Sequence, residues 1–99
     1  MPPTPTRKPH RKAGFIYVIV HPSFPGFCKV GRTSNLQARI NVYNCSCPKR
    51  RFAYLYTRFF EDCVGAEAKL RTRTIAVKLR GEWLRIHPDD ARALVQGIR

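Results

Sequence analysis

The sequence predicts a small α+β domain in which a mostly antiparallel central sheet is flanked by helices, in the order β-β-α-β-α-β-α. Three observations predict it. Two short aromatic and β-branched runs, 14–20 and 27–31, are separated by a Pro/Gly-rich segment, 21–26, as in an antiparallel hairpin. A third such run, 52–60, lies between segments with helical spacing, and a short fourth, 81–86, precedes a proline-opened helix. A length of 99 residues leaves room for one domain.

Gly14–Val20 (GFIYVIV) is apolar on both faces, as in a strand covered from each side. His21–Gly26 is a turn cluster, and Phe27–Gly31 resumes a short strand. Thr33 or Ser34 is placed to cap a first helix, on which Leu36, Ile40 and Tyr43 share one face. Asn44–Arg51 is a loop carrying the basic triplet Lys49, Arg50 and Arg51. Phe52–Phe60 is the third strand. Asp62 caps a second helix, about Cys63 to Val77, with an apolar stripe through Val64 or Cys63, Leu70, Thr74 and Val77. Gly81–Ile86 supplies the fourth strand, with Trp83 as a core anchor; Glu82 is either a second acidic ligand or a strand-end ion pair, the pair being favoured by the flanking Arg80 and Arg85. Pro88 opens the last helix, where a first turn tolerates proline, and Ala91, Leu94, Val95 and Ile98 form its buried face.

Charge gives the first functional clue. Nineteen Lys and Arg oppose six Asp and Glu, a formal +13. So large a surplus repels itself in the folded state and calls for a polyanionic partner, nucleic acid first. Residues 1–13 read as a flexible basic arm: four prolines exclude regular structure, and Arg7, Lys8, Arg11 and Lys12 can neutralise phosphates without reading sequence. Residues 14–99, the expected domain, still hold fifteen basic and six acidic residues. No apolar run approaches the ~18 residues of a membrane span, and no secretory signal pattern or separate basic amphipathic helix stands out. The expectation is therefore no membrane partner and a cytoplasmic setting, nucleoid-associated or virus-encoded within a host cell. There the four cysteines read as free thiols, and Cys45-x-Cys47 matches no usual zinc spacing.

Few residues carry chemistry. Phosphodiester hydrolysis needs charge stabilisation, an activated water and help for the leaving oxygen, and a divalent metal needs a hard carboxylate. Glu61, Asp62, Asp89 and Asp90 sit at helix starts and read as caps or dipole complements. Glu67 differs: Val64 and Leu70 flank it on the inward edge of its helix, so its carboxylate meets either a metal or one of the many arginines. Arg39 lies beside the apolar face of the first helix, placed to hold phosphate oxygens or to snorkel along the helix. Tyr17, in mid-strand, is either a core tyrosine or a hydroxyl that orients water. Its ordinary pKa near ~10 makes it a poor base unless cationic neighbours such as Lys29, Arg32 and Arg39 lower it.

In sequence order these residues resemble one known family. Phe15-Ile16-Tyr17, followed by Lys29-Val30-Gly31, looks like the paired signature of the GIY-YIG nuclease superfamily. Gly31-Arg32-Thr33-Ser34-Asn35-Leu36-Gln37-Ala38-Arg39 is similar to its G-x-T-x-x-L-x-x-R run. The turn at 21–26, the lysine before Val30-Gly31, Glu67 and Gly81-Glu82-Trp83-Leu84 resemble its phage-type, or meiotically up-regulated, DNA-binding branch. The resemblance covers about residues 14–95. It implies a GIY-YIG-like fold and a metal-dependent DNA endonuclease or nickase. In that enzyme Glu67 holds Mg2+, Arg39 steadies the phosphate, Tyr17 positions the water and Lys29 contacts the strand. Arg7, Lys8, Arg11, Lys12, Lys29, Arg32, Lys49, Arg50, Arg51 and Arg71 would bind the nucleic acid. Two departures favour a non-catalytic DNA-binding module instead. Lys29 stands where the best-known nucleases carry a second tyrosine, and Arg71 where the branch often has histidine.

Overall fold

The computed structural model describes residues 12–99. The proposed arm, with Arg7, Lys8 and Arg11, lies outside the described residues. Lys12 lies within them, and its carbonyl accepts the backbone N–H of Cys63 at 2.8 Å.

Four strands form one antiparallel sheet in the order β3-β1-β2-β4: β1 Gly14–Val20, β2 Cys28–Thr33, β3 Ala53–Phe60 and β4 Trp83–Leu84. Three helices, α1 Leu36–Cys45, α2 Cys63–Thr74 and α3 Pro88–Gln96, complete the expected α+β domain. Ile16, Tyr17, Val18 and Ile19 are all 0% exposed, so β1 is covered on both faces, as its uninterrupted apolar run requires. Alternation sends Ile16 and Val18 to one side, where they join Cys63, Ala66 and Leu70 of α2 and Ala91 and Val95 of α3 in the main core. Tyr17 and Ile19 face the other side, where α1 lies. β3 shifts register between Val18 and Ile19, and this bulge lets the consecutive residues Leu55 and Tyr56 both pack on the main core.

Several boundaries differ from the sequence expectation for local reasons. Strand β2 runs on to Thr33, so neither Thr33 nor Ser34 caps α1. Asn35 does, its side chain accepting the Ala38 N–H at 2.9 Å, while Thr33 Oγ1 accepts the N–H of Asn35. Asp62 caps α2 as expected, accepting from Gly65 at 3.0 Å. That helix ends at Thr74 and tightens into a 3-10 turn over Ile75–Val77. The fourth strand is two residues long because residues 77–79 fold back on it: Arg85 N–H bonds Val77 and Leu79 N–H bonds Trp83, closing a turn at Gly81 (φ +65°). Proline opens α3, with His87 Nδ1 accepting from Asp89 at 3.1 Å. Arg58 of β3 ties down its other end, donating from Nη1 to the carbonyls of Val95, Gln96 and Ile98 at 2.9–3.0 Å.

Candidate functional site

The singled-out residues around β2 divide between the two faces of the sheet. Tyr17 in β1 pairs with Gly31 in β2. A side chain at position 31 would strike the Tyr17 hydroxyl: an added Cβ would lie 2.6 Å from it and 2.8 Å from Glu82 Oε1. Glycine leaves that space open, and Tyr17 uses it to donate to Glu82 Oε1 at 2.7 Å. Tyr43 of α1 donates to the same oxygen, its hydroxyl 3.0 Å from that of Tyr17. Burial first, then the hydrogen bonds to Tyr43 and Glu82, hold the Tyr17 phenol protonated far above its ordinary range. Burial and Glu82 push Tyr43 the same way, against lowering contributions from the Tyr17 hydrogen bond and, more weakly, from Arg39.

Lys29 lies on this face as well. Its Nζ stands 4.4 Å from the Tyr43 ring centroid, 4.9 Å from Trp83 and 5.8 Å from Phe52, a cation among three aromatic rings. Arg39 is half-buried beside Tyr43 and Tyr54, and its charge lowers the pKa of both phenols against the larger raising effect of burial.

Glu67 approaches from the α2 side. Arg32 pairs with Ile16, which faces the main core, and Arg32 Nε donates to Glu67 Oε1 at 3.0 Å. Arg71 Nη2, one helical turn on, reaches the same oxygen at 3.5 Å. A cavity of about 100 Å³ opens here over Val30 and Leu70, with Glu67, Arg71, Lys78 and Glu82 around it. Glu82 therefore touches two environments: it holds the buried phenols of Tyr17 and Tyr43, and it shares a cavity with Glu67.

The expected gathering of Tyr17, Arg39 and Glu67 in one open pocket is not what the chain builds. Tyr17 is fully buried and faces α1; neither it nor Arg39 lines the cavity that Glu67 does. The field of Lys29, Arg32 and Arg39 does not lower the Tyr17 pKa, because burial and an adjacent carboxylate act the opposite way. Glu82 pairs with the two tyrosines rather than with Arg80 or Arg85. Tyr43 and Glu82 were missed as polar partners. The signal that points to them is Gly31, a glycine inside a strand, which marks a close approach of other atoms. Among the remaining basic residues singled out, Lys12, Lys49, Arg50 and Arg51 are exposed.

Among the described residues no group of three or more His, Cys, Asp and Glu side chains is placed to hold a metal ion. The cysteines are free: Cys28 and Cys63 are buried, the former pushed up to about 11 by burial. No helix among the described residues is long and apolar enough to cross a membrane.

Fold and site together define a small basic α+β domain. The family model of the T5orf172 domain matches residues 14–99, and the chain belongs to that family. The resemblance to the GIY-YIG nuclease superfamily is corrected accordingly, since the model that spans the domain is that of a distinct family. Neither the curated proteins nor the solved structures give a significant match.

Proposed function

We propose that this chain is a DNA-binding domain that grips the phosphate backbone through a basic surface its own acids do not neutralise. One observation carries the reading. Residues 12–99 hold sixteen Lys and Arg, and among them only Arg32 and Arg71 pair with a carboxylate, both with Glu67. The other acids are engaged locally or lie at helix starts: Asp62 caps α2, Glu82 holds two phenols, and Asp89 and Asp90 complement the start of α3. The exposed triplet Lys49, Arg50 and Arg51, together with Lys78, Arg80 and Arg85 around β4, remains free for phosphates. Filter binding of a duplex across a salt series tests this. Log affinity should fall linearly and steeply with log salt concentration. A flat response would remove the proposal.

A second reading, metal-dependent nicking or cleavage of the bound DNA, is favoured by the two carboxylates, Glu67 and Glu82, that share one cavity. Mg2+ is commonly held by one or two carboxylates together with substrate phosphates. Glu67 fits that pattern in part: Oε1 is taken by Arg32 and Arg71, while Oε2 carries no hydrogen bond among the described residues. In this reading Glu67 holds the ion, which would neutralise charge at the scissile phosphate. Arg71 and Lys78 at the cavity would bind phosphate oxygens. Tyr17 contributes by holding Glu82, and its retained proton leaves it no part as a base. Plasmid incubated with Mg2+ or Mn2+ separates the readings. Nicking that Glu67→Ala abolishes supports catalysis; binding without nicking in either metal leaves the DNA-binding module alone.

A further inference from the structure

Beyond the backbone grip, we propose that the slot between the β1–β2 turn and the segment leading into β4 is a stacking site for an unpaired nucleobase. The inference rests on the DNA-binding reading and adds to it a preference for single-stranded or unstacked bases. The slot is an open apolar cavity of about 310 Å³ lined by Phe24, Phe27, Leu79, Arg80 and Trp83. Phe24 and Leu79, 45% and 38% exposed, line it together, so their apolar surface is contiguous rather than scattered.

The rings are held in place rather than loose. Phe24 N–H bonds the His21 carbonyl at 3.0 Å and Phe27 N–H bonds the Phe24 carbonyl at 3.2 Å, which fixes the turn. Phe24 meets Trp83 edge to face, with centroids 5.4 Å apart, and Lys29 Nζ supports the indole at 4.9 Å. The surroundings select the occupant by charge. Among the described residues Arg80 is the only charged side chain lining the slot, and Lys78 and Arg85 are exposed on the adjoining segments. The nearest acid in sequence, Glu82, is engaged with Tyr17 and Tyr43 instead. A flat, apolar ligand that carries a negative charge fits such a slot, and a nucleotide is that ligand. Its base stacks on the exposed Phe24 ring and the half-buried rings beside it while its phosphate meets Arg80. Bases within a duplex are stacked on each other, so the slot takes one that is not.

Trp83 is the single tryptophan of the chain, so its emission reports the slot directly. The wild-type protein and Phe24→Ala are titrated with oligothymidylate and with an abasic strand of equal length and charge. The expected result is quenching of Trp83 by the thymidylate and little by the abasic strand. Phe24→Ala should bind the thymidylate about tenfold more weakly with an unchanged salt slope. Equal quenching and affinity for both strands, or a Phe24→Ala protein that binds as tightly as wild type, overturns the stacking site and leaves the backbone grip standing. Failure to bind any nucleic acid at low salt removes both proposals. Sedimentation showing a dimer that Phe24→Ala dissociates would assign the slot to a second copy of the chain and likewise overturn it.

Discussion

Tyr17 and Glu82, sixty-five positions apart, meet across the space left by Gly31, the Tyr17 hydroxyl donating to Glu82 Oε1 at 2.7 Å. The bond ties the fully buried centre of β1 to the residue leading into the short outer strand β4, which pairs with β2 at Cys28 and Lys29 and is joined to it again where Val30 N–H donates to the Glu82 carbonyl at 3.3 Å. It couples one of the two acids of the cavity to the sheet interior, so the Glu82 carboxylate is held by a side chain that never reaches solvent.

Replacing Tyr17 with Phe keeps the ring packing but leaves the Glu82 carboxylate with Tyr43 alone. The expected loss is about 1–2 kcal/mol, read as a lower denaturant midpoint with an unchanged slope. The pH dependence has a definite sign. A phenol whose pKa is raised in the folded state stabilises fully below its unfolded value of ~10, and that contribution is lost as pH climbs beyond it. Wild type should therefore lose stability above pH ~10 more steeply than Tyr17→Phe. Equal alkaline slopes would show that the phenol is not held as described.

Gly31→Ala probes the same contact from the other partner. The added methyl would press on the Tyr17 hydroxyl and the Glu82 carboxylate, both within 3 Å of the new carbon. Overpacking of this kind costs about 1–3 kcal/mol. Combining it with Tyr17→Phe, which removes one of the clashing atoms, should cost less than the two changes added. Additive losses in a double-mutant cycle would mean that the methyl is accommodated elsewhere.

The elements were legible because their signals are local. The apolar run of β1, the Pro/Gly turn after it, Asp62 before α2 and Pro88 at the start of α3 each fix a short stretch by sterics or capping, and all four hold. Boundaries slipped where tertiary pairing decided them. Segment 77–79 returns alongside 83–85, which shortens the fourth strand and closes α2 with a 3-10 turn. The site was less legible because strand alternation outranks sequence proximity. Arg32 adjoins Gly31 in sequence yet faces the α2 side with Glu67, while Tyr17, opposite Gly31, faces α1. Residue types alone gave Glu67 a choice between metal and arginine; in the fold it meets two arginines.

Cys47 offers a test of local electrostatics in the basic loop. The N–H of Arg51 donates to its sulfur at 3.4 Å, and His21 Nε2 lies 3.3 Å away. Because His21 Nδ1 accepts from Ser23 N–H at 3.1 Å, the ring proton sits on Nε2 and points at the thiol. These donors, the backbone N–H of Arg51 foremost, bring Cys47 down to about 7. Alkylation by iodoacetamide, followed site by site by mass spectrometry, should rise through pH ~7 at Cys47. His21→Ala should move that midpoint upward. The lowered folded value also means that the thiolate adds stability above its unfolded pKa of ~8.5 and loses it as pH falls through 7. A Cys47 midpoint unaffected by His21→Ala would refute the assigned tautomer.

Glu67→Gln separates binding from chemistry. Both ion pairs to Glu67 involve partly exposed groups, with Arg32 37% and Arg71 62% exposed, so solvent screening limits their worth to about 0–1 kcal/mol each and the fold should survive. Removing the charge frees two guanidiniums and deletes an anion from a basic surface. Duplex affinity should rise severalfold at low salt, with a steeper salt dependence, because Arg32 and Arg71 become available to phosphates. If the cavity also supports hydrolysis, nicking falls in the same protein that binds more tightly, since an amide is a poor ligand for Mg2+. Tighter binding with unchanged nicking would exclude Glu67 from the chemistry. Weaker binding would mean that Glu67 serves to orient the two arginines toward DNA, and the basic surface would then be organised by its one paired acid rather than merely offset by it.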